Sequence, residues 1–362
     1  MSAKKAKQEK ETFPMATKMA GTRREFLRKT AAAGVLAAVG APRVLGDDKA
    51  GAKLPVVGSG EHTYEVIHDW GTLPGSIRYG NTHGVCEDAA GRIYVHHTVH
   101  AQSPTDDTIV VFDAAGKFVK SWGPEFKAGA HGLLIAKEGN AEFLYLADQR
   151  RGIVVKTDLD GRVVMTLGCP MESGLYGNAG EYHPTNVALA PGGDLYVADG
   201  YGKNWIHRYT AQGEYRGSFG GPGKERGQVA CPHGIFLDAR GAEPVLVVAD
   251  RSNRRLQYFS LDGRHLRFTT DELKSPCHFD ARGGVLLVPD LEARVSLFDK
   301  ADKLIAHLGD GGNFGLRDKA RDAFLPGKFI APHGACFDRE GNIFVVEWVE
   351  VGRVTKLRRV AG

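Results

Sequence analysis

The sequence predicts an all-β fold, a six-bladed β-propeller closed by an N-terminal strand. Three observations carry this prediction. A strand-and-turn pattern occurs six times at intervals of roughly 40–50 residues, a spacing typical of propeller blades. The chain contains 47 glycines among 362 residues, which suits many short strands joined by tight turns. One strand, over residues 62–70, stands before the first copy without a unit of its own.

The clearest copy covers residues 231–270 and sets the pattern for the others. It opens with Pro232-His233-Gly234, runs through apolar strands to Asp250, and turns through Arg251-Ser252-Asn253 into an alternating strand. Each copy is too small to bury its own apolar face, so the copies must pack on one another. The remaining copies cover residues 82–123, 130–168, 183–220, 276–309 and 332–360.

The number of strands indicates how the ring closes. Copies one to five supply four strands each, whereas copy six supplies three. The strand at 62–70 can be the fourth strand of copy six, and this closure removes exposed sheet edges. We therefore predict one propeller domain over residues 62–362, preceded by a linker over residues 47–61. A monomer is expected.

Residues 1–46 have the features of an export signal. Arg23-Arg24 precede a weakly apolar run over residues 31–41, which is the order of regions in a twin-arginine signal peptide. The run is too short to span a bilayer, so no membrane span is expected after signal cleavage. A basic amphipathic helix is the alternative. The signal predicts a periplasmic or extracellular protein.

The net charge of +4 comes from this N-terminal segment. Residues 1–46 hold ten Lys and Arg against three Asp and Glu, which leaves 37 basic and 40 acidic residues in the remainder. A slightly acidic body lacks the basic surface that nucleic acid requires, so nucleic-acid binding is not expected. Five cysteines without a CxxC spacing do not indicate a complete disulfide framework.

Histidine recurs where each copy begins. The innermost strand of a blade lines the central channel, so the residue at its start faces the channel mouth. In register, these positions hold His83, His131, Thr185, His233, Cys277 and His333. A neutral imidazole is a common zinc ligand, and three converging histidines leave the open fourth position of a catalytic zinc. The alternative is that repeat duplication copied a histidine into a tight strand start.

Several motifs follow one another in the order of the copies: HG, PTNVAL, VADGYGKNWI, PHG, VADR and PHG. Over residues 62–360 this series resembles the peptidyl-α-hydroxyglycine α-amidating lyases, within the wider group of NHL-type six-bladed propellers. The resemblance implies a zinc-dependent lyase that cleaves a carbinolamide C–N bond in a small-molecule or peptide substrate at the channel mouth. The residues that it implies are the zinc ligands His131, His233 and His333, the catalytic tyrosine Tyr201, and Arg251, which holds the substrate carboxylate.

The chain departs from the pattern of that family at several positions. His97 falls where the family has a second arginine, and we assign it to the catalytic set in that place. Ala331 replaces a methionine, Gly202 replaces a disulfide cysteine, and Gly334 replaces the acidic residue that supports a structural calcium, which argues against calcium here. His83 is additional and can make a four-histidine site, for which iron is the alternative metal.

Two other functions fit the same fold. A metal-dependent propeller hydrolase such as a lactonase would use carboxylate and asparagine ligands for calcium, whereas this ring is rich in histidine. A non-catalytic NHL propeller would bind a protein or a glycan and would hold no metal. The loop over residues 310–330 suits either a lid or a partner-binding surface.

Overall fold

The computed structural model describes residues 53–360, which form six antiparallel sheets arranged as the blades of a propeller. The predicted all-β, six-bladed fold is confirmed. The first two strands, β1 (Val56–Ser59) and β2 (His62–His68), belong to the last blade. The predicted export signal at 1–46 lies outside the described residues and stays a prediction.

Blades one to three each contain four strands in the order of the chain. Blade one contains β3 (Thr82–Glu87), β4 (Ile93–His97), β5 (Ile109–Phe112) and β6 (Phe118–Trp122). Blade two contains β7 (Ala130–Glu138), β8 (Ala141–Asp148), β9 (Ile153–Thr157) and β10 (Val163–Leu167). Blade three contains β11 (Asn186–Leu189), β12 (Leu195–Ala198), β13 (Trp205–Tyr209) and β14 (Tyr215–Gly220).

The remaining blades follow the same plan. Blade four contains β15 (Pro232–Asp238), β16 (Val245–Asp250), β17 (Arg255–Phe259) and β18 (His265–Thr269). Blade five contains β19 (Asp280–Arg282), β20 (Val285–Asp290), β21 (Arg294–Phe298) and β22 (Leu304–Leu308). Blade six adds β23 (Pro332–Phe337), β24 (Ile343–Glu347) and β25 (Arg353–Arg359).

Helical structure in the described residues is limited to short 3-10 turns in the connections. They span Pro124–Phe126, Met171–Ser173, Ala179–Glu181, Arg251–Asn253, Phe314–Leu316 and Arg321–Ala323. Between residues 53 and 360 there is no helix long and apolar enough to cross a bilayer.

The ring closes through the N-terminal strand, as the strand arithmetic predicts. β2 pairs antiparallel with β25, from Tyr64 opposite Arg359 to His68 opposite Thr355. The structure adds one strand, because β1 folds back on β2 and gives blade six a fifth strand. The sequence predicts a linker at these residues, since the four-residue segment VVGS is too short and polar to show a strand pattern.

The core lies between the blades. Six clusters of buried apolar side chains each join two consecutive blades. Between blades six and one, for example, Val95 and Val110 pack with Val346. Because both faces of a blade are covered, β5 is buried at every position. Burial of one such aliphatic side chain contributes roughly 1.5–3 kcal/mol, so packing between blades stabilises sheets that would not be stable alone.

Candidate metal centre

Four buried histidines from four blades converge at the axis. The ring centroids of His131, His233 and His333 lie 4.7–4.9 Å apart in each pairing. His83 lies 5.0 Å from His131 and 4.4 Å from His333. The tightest set of donor atoms, all within 4.8 Å of one another, belongs to His83, His131 and His333. The geometry therefore brings together all four histidines that the sequence predicts as ligands.

Three of these histidines are each hydrogen-bonded to a backbone carbonyl group. The Nδ1 atoms of His131, His233 and His333 lie 2.7, 2.9 and 2.9 Å from the carbonyl oxygens of Thr185, Cys277 and His83. Each carbonyl belongs to the register position of the next blade. A carbonyl can only accept a hydrogen bond, so each Nδ1 carries the proton and each Nε2 keeps a lone pair. This is the tautomer of a histidine that binds metal through Nε2.

A glycine after each of these histidines permits the carbonyl contact. A Cβ at Gly132, Gly234 or Gly334 would lie 2.5 Å from the same three carbonyl oxygens, which is closer than atoms can approach. In each His-Gly pair, the histidine supplies the imidazole and the glycine leaves room for the carbonyl group that the imidazole contacts. An acidic side chain at Gly334 would therefore require the His83 carbonyl to shift.

We expect Gly234→Ala to displace the Cys277 carbonyl and to weaken the His233 orientation. The strain should cost about 1–3 kcal/mol of unfolding free energy, and metal affinity should fall about 10–100-fold. Denaturant unfolding and metal titration measure the two effects. Gly241→Ala is the matched control in the same blade, because the nearest atom to its added Cβ is 3.7 Å away. Equal behaviour of the two variants would contradict the role of Gly234.

The Nε2 lone pairs of the ring outnumber the protons available to them, which favours a bound cation. The Nε2 atoms of His131 and His233 lie 3.2 and 3.0 Å from the Tyr201 hydroxyl, which has one proton and can serve only one of them. Arg251 Nη1 donates to the same oxygen at 3.3 Å. The remaining Nε2, of His333, faces Nδ1 of His83 at 3.3 Å. One buried lone pair is left without a donor, and a metal ion at the axis would satisfy it.

The histidines of the ring are neutral. Burial lowers the pKa of His131 to about 3. Burial lowers the pKa of His233, His333 and His83 well below the ordinary value, and the positive charge of Arg251 adds to this effect for His233 and His333. Protons therefore compete weakly with a metal for these nitrogens.

The metal-stripped protein should lose stability as the pH falls below about 6.5, the ordinary histidine pKa. Below that pH the histidines of the unfolded chain bind protons, whereas those of the folded ring stay neutral. The contribution of the ring to the free energy of unfolding is therefore complete above about pH 6.5 and falls toward pH 3. Each such histidine contributes about 1.4 kcal/mol per pH unit. Urea unfolding between pH 7.5 and 5 measures the slope, with His131→Gln as the reference. A slope as steep in this variant as in the wild type would contradict the prediction.

Tyr201 lies in a turn whose backbone is fixed by hydrogen bonds to the buried carboxylate of Asp199. Asp199 accepts from the backbone N–H of His183 at 2.7 Å and of Lys203 at 2.6 Å, and from the Tyr176 hydroxyl at 2.7 Å. The Tyr201 side chain is 40% exposed, although its hydroxyl lies inside the histidine ring. Burial raises the pKa of Tyr201 to about 12, and the positive charge of Arg251 opposes this shift.

His97 is buried near His83 but takes no part in the hydrogen bonds of this cluster. In the other blades the second strand ends at or beside a buried acid: Asp148, Asp199, Asp250, Asp290 and Glu347. His97 holds the corresponding position of blade one, opposite Thr82. Its Nδ1 accepts from Val99 N–H at 3.1 Å, and its ring packs edge-on against Tyr79. No hydrogen bond or ring contact within residues 53–360 joins it to the tyrosine or the arginine of the site.

The chain is similar in sequence to several proteins. It is 28% identical over 263 residues to peptidyl-α-hydroxyglycine α-amidating lyase 1 of Drosophila melanogaster, covering 63% of this chain and 47% of that protein. It is 30% identical over 158 residues to a probable lyase of the same kind in Caenorhabditis elegans, covering 42% and 43%. NHL repeat-containing protein 3 of Homo sapiens is 27% identical over 195 residues, covering 51% and 55%. The chain thus spans about half the length of these relatives.

Solved structures show the same fold. A streptogramin B lyase superposes with a TM-score of 0.54 at 13% identity, covering 82% of this chain and 97% of its own. No family model matches the chain. With its six blades the protein is a β-propeller, and its sequence is similar to the peptidyl-α-hydroxyglycine α-amidating lyases and to an NHL repeat-containing protein.

Proposed function

We propose that the protein is a zinc-dependent lyase that cleaves the C–N bond of an N-acyl-α-hydroxyglycine. The observation that carries the proposal is the ring itself, in which unprotonated Nε2 atoms surround one tyrosine hydroxyl beside an arginine. The similarity to two proteins named as α-hydroxyglycine amidating lyases supports the reaction class.

The ring has the ligands for a zinc ion. His131, His233 and His333 would hold it through Nε2, and His83 would be a fourth ligand. Iron is the alternative metal, since imidazole suits both ions. Bound zinc supplies Lewis-acid chemistry, because it lowers the pKa of a hydroxyl group that it binds.

Tyr201 is proposed as the general base. Its hydroxyl lies where a substrate hydroxyl near the ring nitrogens would reach it. Tyr201 would act in its deprotonated form, which Arg251 and a bound metal ion would favour against the burial that raises its pKa. The tyrosinate takes the proton of the substrate hydroxyl, and the O–H electron pair becomes the carbonyl bond of glyoxylate. The C–N bond breaks with its electrons on nitrogen, which receives the proton from Tyr201. The amide and glyoxylate together contain all atoms of the substrate.

Arg251 is proposed to bind the substrate carboxylate, since a guanidinium recognises a carboxylate through paired hydrogen bonds. His97 is not expected to add a second positive charge, because burial lowers its pKa to about 3. Its ring accepts a hydrogen bond from Val99 N–H in the blade-one loop. Arg251 would therefore bind the substrate carboxylate alone, whereas the resemblance implies two arginines in the family.

The test is to incubate metal-loaded protein with N-benzoyl-α-hydroxyglycine and to measure glyoxylate release beside metal-stripped protein. We expect glyoxylate only from the loaded protein. Bound metal without turnover of this or shorter N-acyl-α-hydroxyglycines would overturn the substrate assignment. Failure to bind zinc or iron would overturn the lyase and favour a propeller that binds a protein or a glycan.

A further inference from the structure

The backbone at the channel mouth repeats one contact in every blade. Just past the second strand of each blade, a backbone N–H donates to the carbonyl two residues before the register position, at 2.8–3.3 Å. From blade one to blade six, the donors are Thr98, Gln149, Tyr201, Arg251, Leu291 and Trp348. We call these six residues the upper ring. Two of them are the tyrosine and the arginine of the proposed site, so the other four lie at equivalent places around the same mouth.

The upper ring is polar in blades one to four and apolar in blades five and six. Leu291 and Trp348 are its two apolar members. Leu291 is buried, whereas Trp348 is partly exposed. Trp348 therefore presents the apolar surface of the upper ring to a ligand at the mouth, and Leu291 packs in the same cluster of side chains.

This cluster gives the apolar side of the mouth its shape. Leu291 and Trp348 pack in it with residues near the entry to the inner strands of blades five and six and with the loop over residues 310–330. The other members are Cys277, Ile330, Ala331, Val349, Leu316 and Phe324. The loop is thus a part of the wall on this side of the mouth.

The same loop holds the indole of Trp348 in place. The central guanidinium carbon of Arg317 lies 3.9 Å from the centroid of the indole ring. The charge of Arg317 is balanced by Asp318 at 2.7 Å, and its carbonyl accepts from Glu350 N–H at 3.4 Å. A stacked and ion-paired guanidinium orients the indole and leaves this wall suited to an apolar group.

The place of Trp348 matches one end of the proposed substrate. With six blades around the axis, Trp348 in blade six lies across from Tyr201 in blade three, whereas Arg251 in blade four is next to Tyr201. A substrate held by its hydroxyl at Tyr201 and by its carboxylate at Arg251 can extend its acyl group toward the other side of the mouth. Contact of an apolar acyl group with Trp348 removes apolar surface from water, which favours binding.

We propose that Leu291 and Trp348 form a subsite for the acyl group of the substrate and make the site selective for apolar acyl groups. The substrate class is then an N-acyl-α-hydroxyglycine with an aromatic or a long aliphatic acyl group. This inference rests on the proposed function, and it assigns the half of the substrate that Tyr201 and Arg251 do not contact.

The kinetic test compares N-benzoyl-α-hydroxyglycine with N-acetyl-α-hydroxyglycine, which differ only in the acyl group. We expect the metal-loaded wild type to prefer the benzoyl compound by about tenfold or more in kcat/KM. Trp348→Ala should lower this preference about tenfold, whereas Trp348→Phe, which keeps an aromatic ring, should retain most of it. Gln149→Ala is the matched control at the equivalent position of a polar blade, and its preference should equal that of the wild type. An unchanged preference in Trp348→Ala, or an equal fall in both alanine variants, would overturn the proposal.

Ligand binding separates the subsite from the lyase reaction. N-benzoylglycine and N-acetylglycine carry the same carboxylate and cannot release glyoxylate by this reaction, because they lack the hydroxyl group. Calorimetry with the metal-loaded wild type should give a Kd about tenfold lower for N-benzoylglycine, and Trp348→Ala should remove most of this difference. That result without any lyase activity would refute the proposed function and support the subsite. Equal Kd values for the two ligands in the wild type, or no binding of either, would refute the subsite whatever the lyase activity.

Discussion

His233→Ala is expected to release the metal and to abolish turnover. The substitution removes one of three Nε2 ligands, leaves the Cys277 carbonyl without its N–H donor, and removes an acceptor of the Tyr201 hydroxyl. Structural and catalytic zinc sites need at least three protein ligands, so metal should fall from about one ion per chain to about a tenth or less. Lyase activity should fall by roughly 10³-fold or more, since Lewis-acid chemistry is lost with the ion. Metal analysis and glyoxylate release measure the two effects.

His265→Ala is the matched control for this experiment. His265 is a histidine on β18 of the same blade as His233, and its ring packs against Phe259 and Phe268 rather than against the histidine ring. Its removal should leave the metal in place. His83→Ala distinguishes three ligands from four, because a three-histidine site keeps its ion without His83. Full metal content in His233→Ala would refute the assignment of the ring as the metal centre.

Tyr201→Phe should lower kcat by about 10²–10⁴-fold while metal content and KM change little. Phenylalanine keeps the aromatic ring beside Arg251 and removes only the hydroxyl that lies between His131 and His233. Loss confined to kcat would indicate a group that acts on the reacting atoms rather than on binding. Steady-state kinetics with N-benzoyl-α-hydroxyglycine gives both constants.

Tyr182→Phe provides the comparison for Tyr201. Its side chain is fully buried in the same blade-three region, where its ring packs against Tyr176 and His207 rather than against the histidine ring. Removal of this hydroxyl should leave kcat unchanged. If Tyr201→Phe kept the wild-type kcat, the proton-transfer role of Tyr201 would be excluded.

The fold could be predicted because the same strand pattern recurs six times, and aligning the six copies shows where the strands of each blade begin. The histidines of the ring could be predicted for the same reason, since they share one position of the repeat. Tyr201 and Arg251 follow the ends of strands in two copies, so their motifs indicated their place. These predictions rest on side chains that the repeat aligns.

The rest of the site depends on atoms that carry no sequence signal. The carbonyl groups that orient the histidines belong to residues as different as Thr185, Cys277 and His83. His97 shows the reverse case, because aligning the ends of the second strands would have matched it with the acids of the other blades. The resemblance assigned it to the catalytic set instead, because it falls where the family has a second arginine.

Closure of the ring by β2 and β25 joins the two ends of the propeller beside the histidine ring. His333 lies on β23 in the closing sheet, and His83 lies in the adjacent blade. A metal ion held by both histidines would bridge this seam, so a bound ion and a closed seam would stabilise each other by mass action. Removal of such an ion should allow the seam to open before the other blade interfaces.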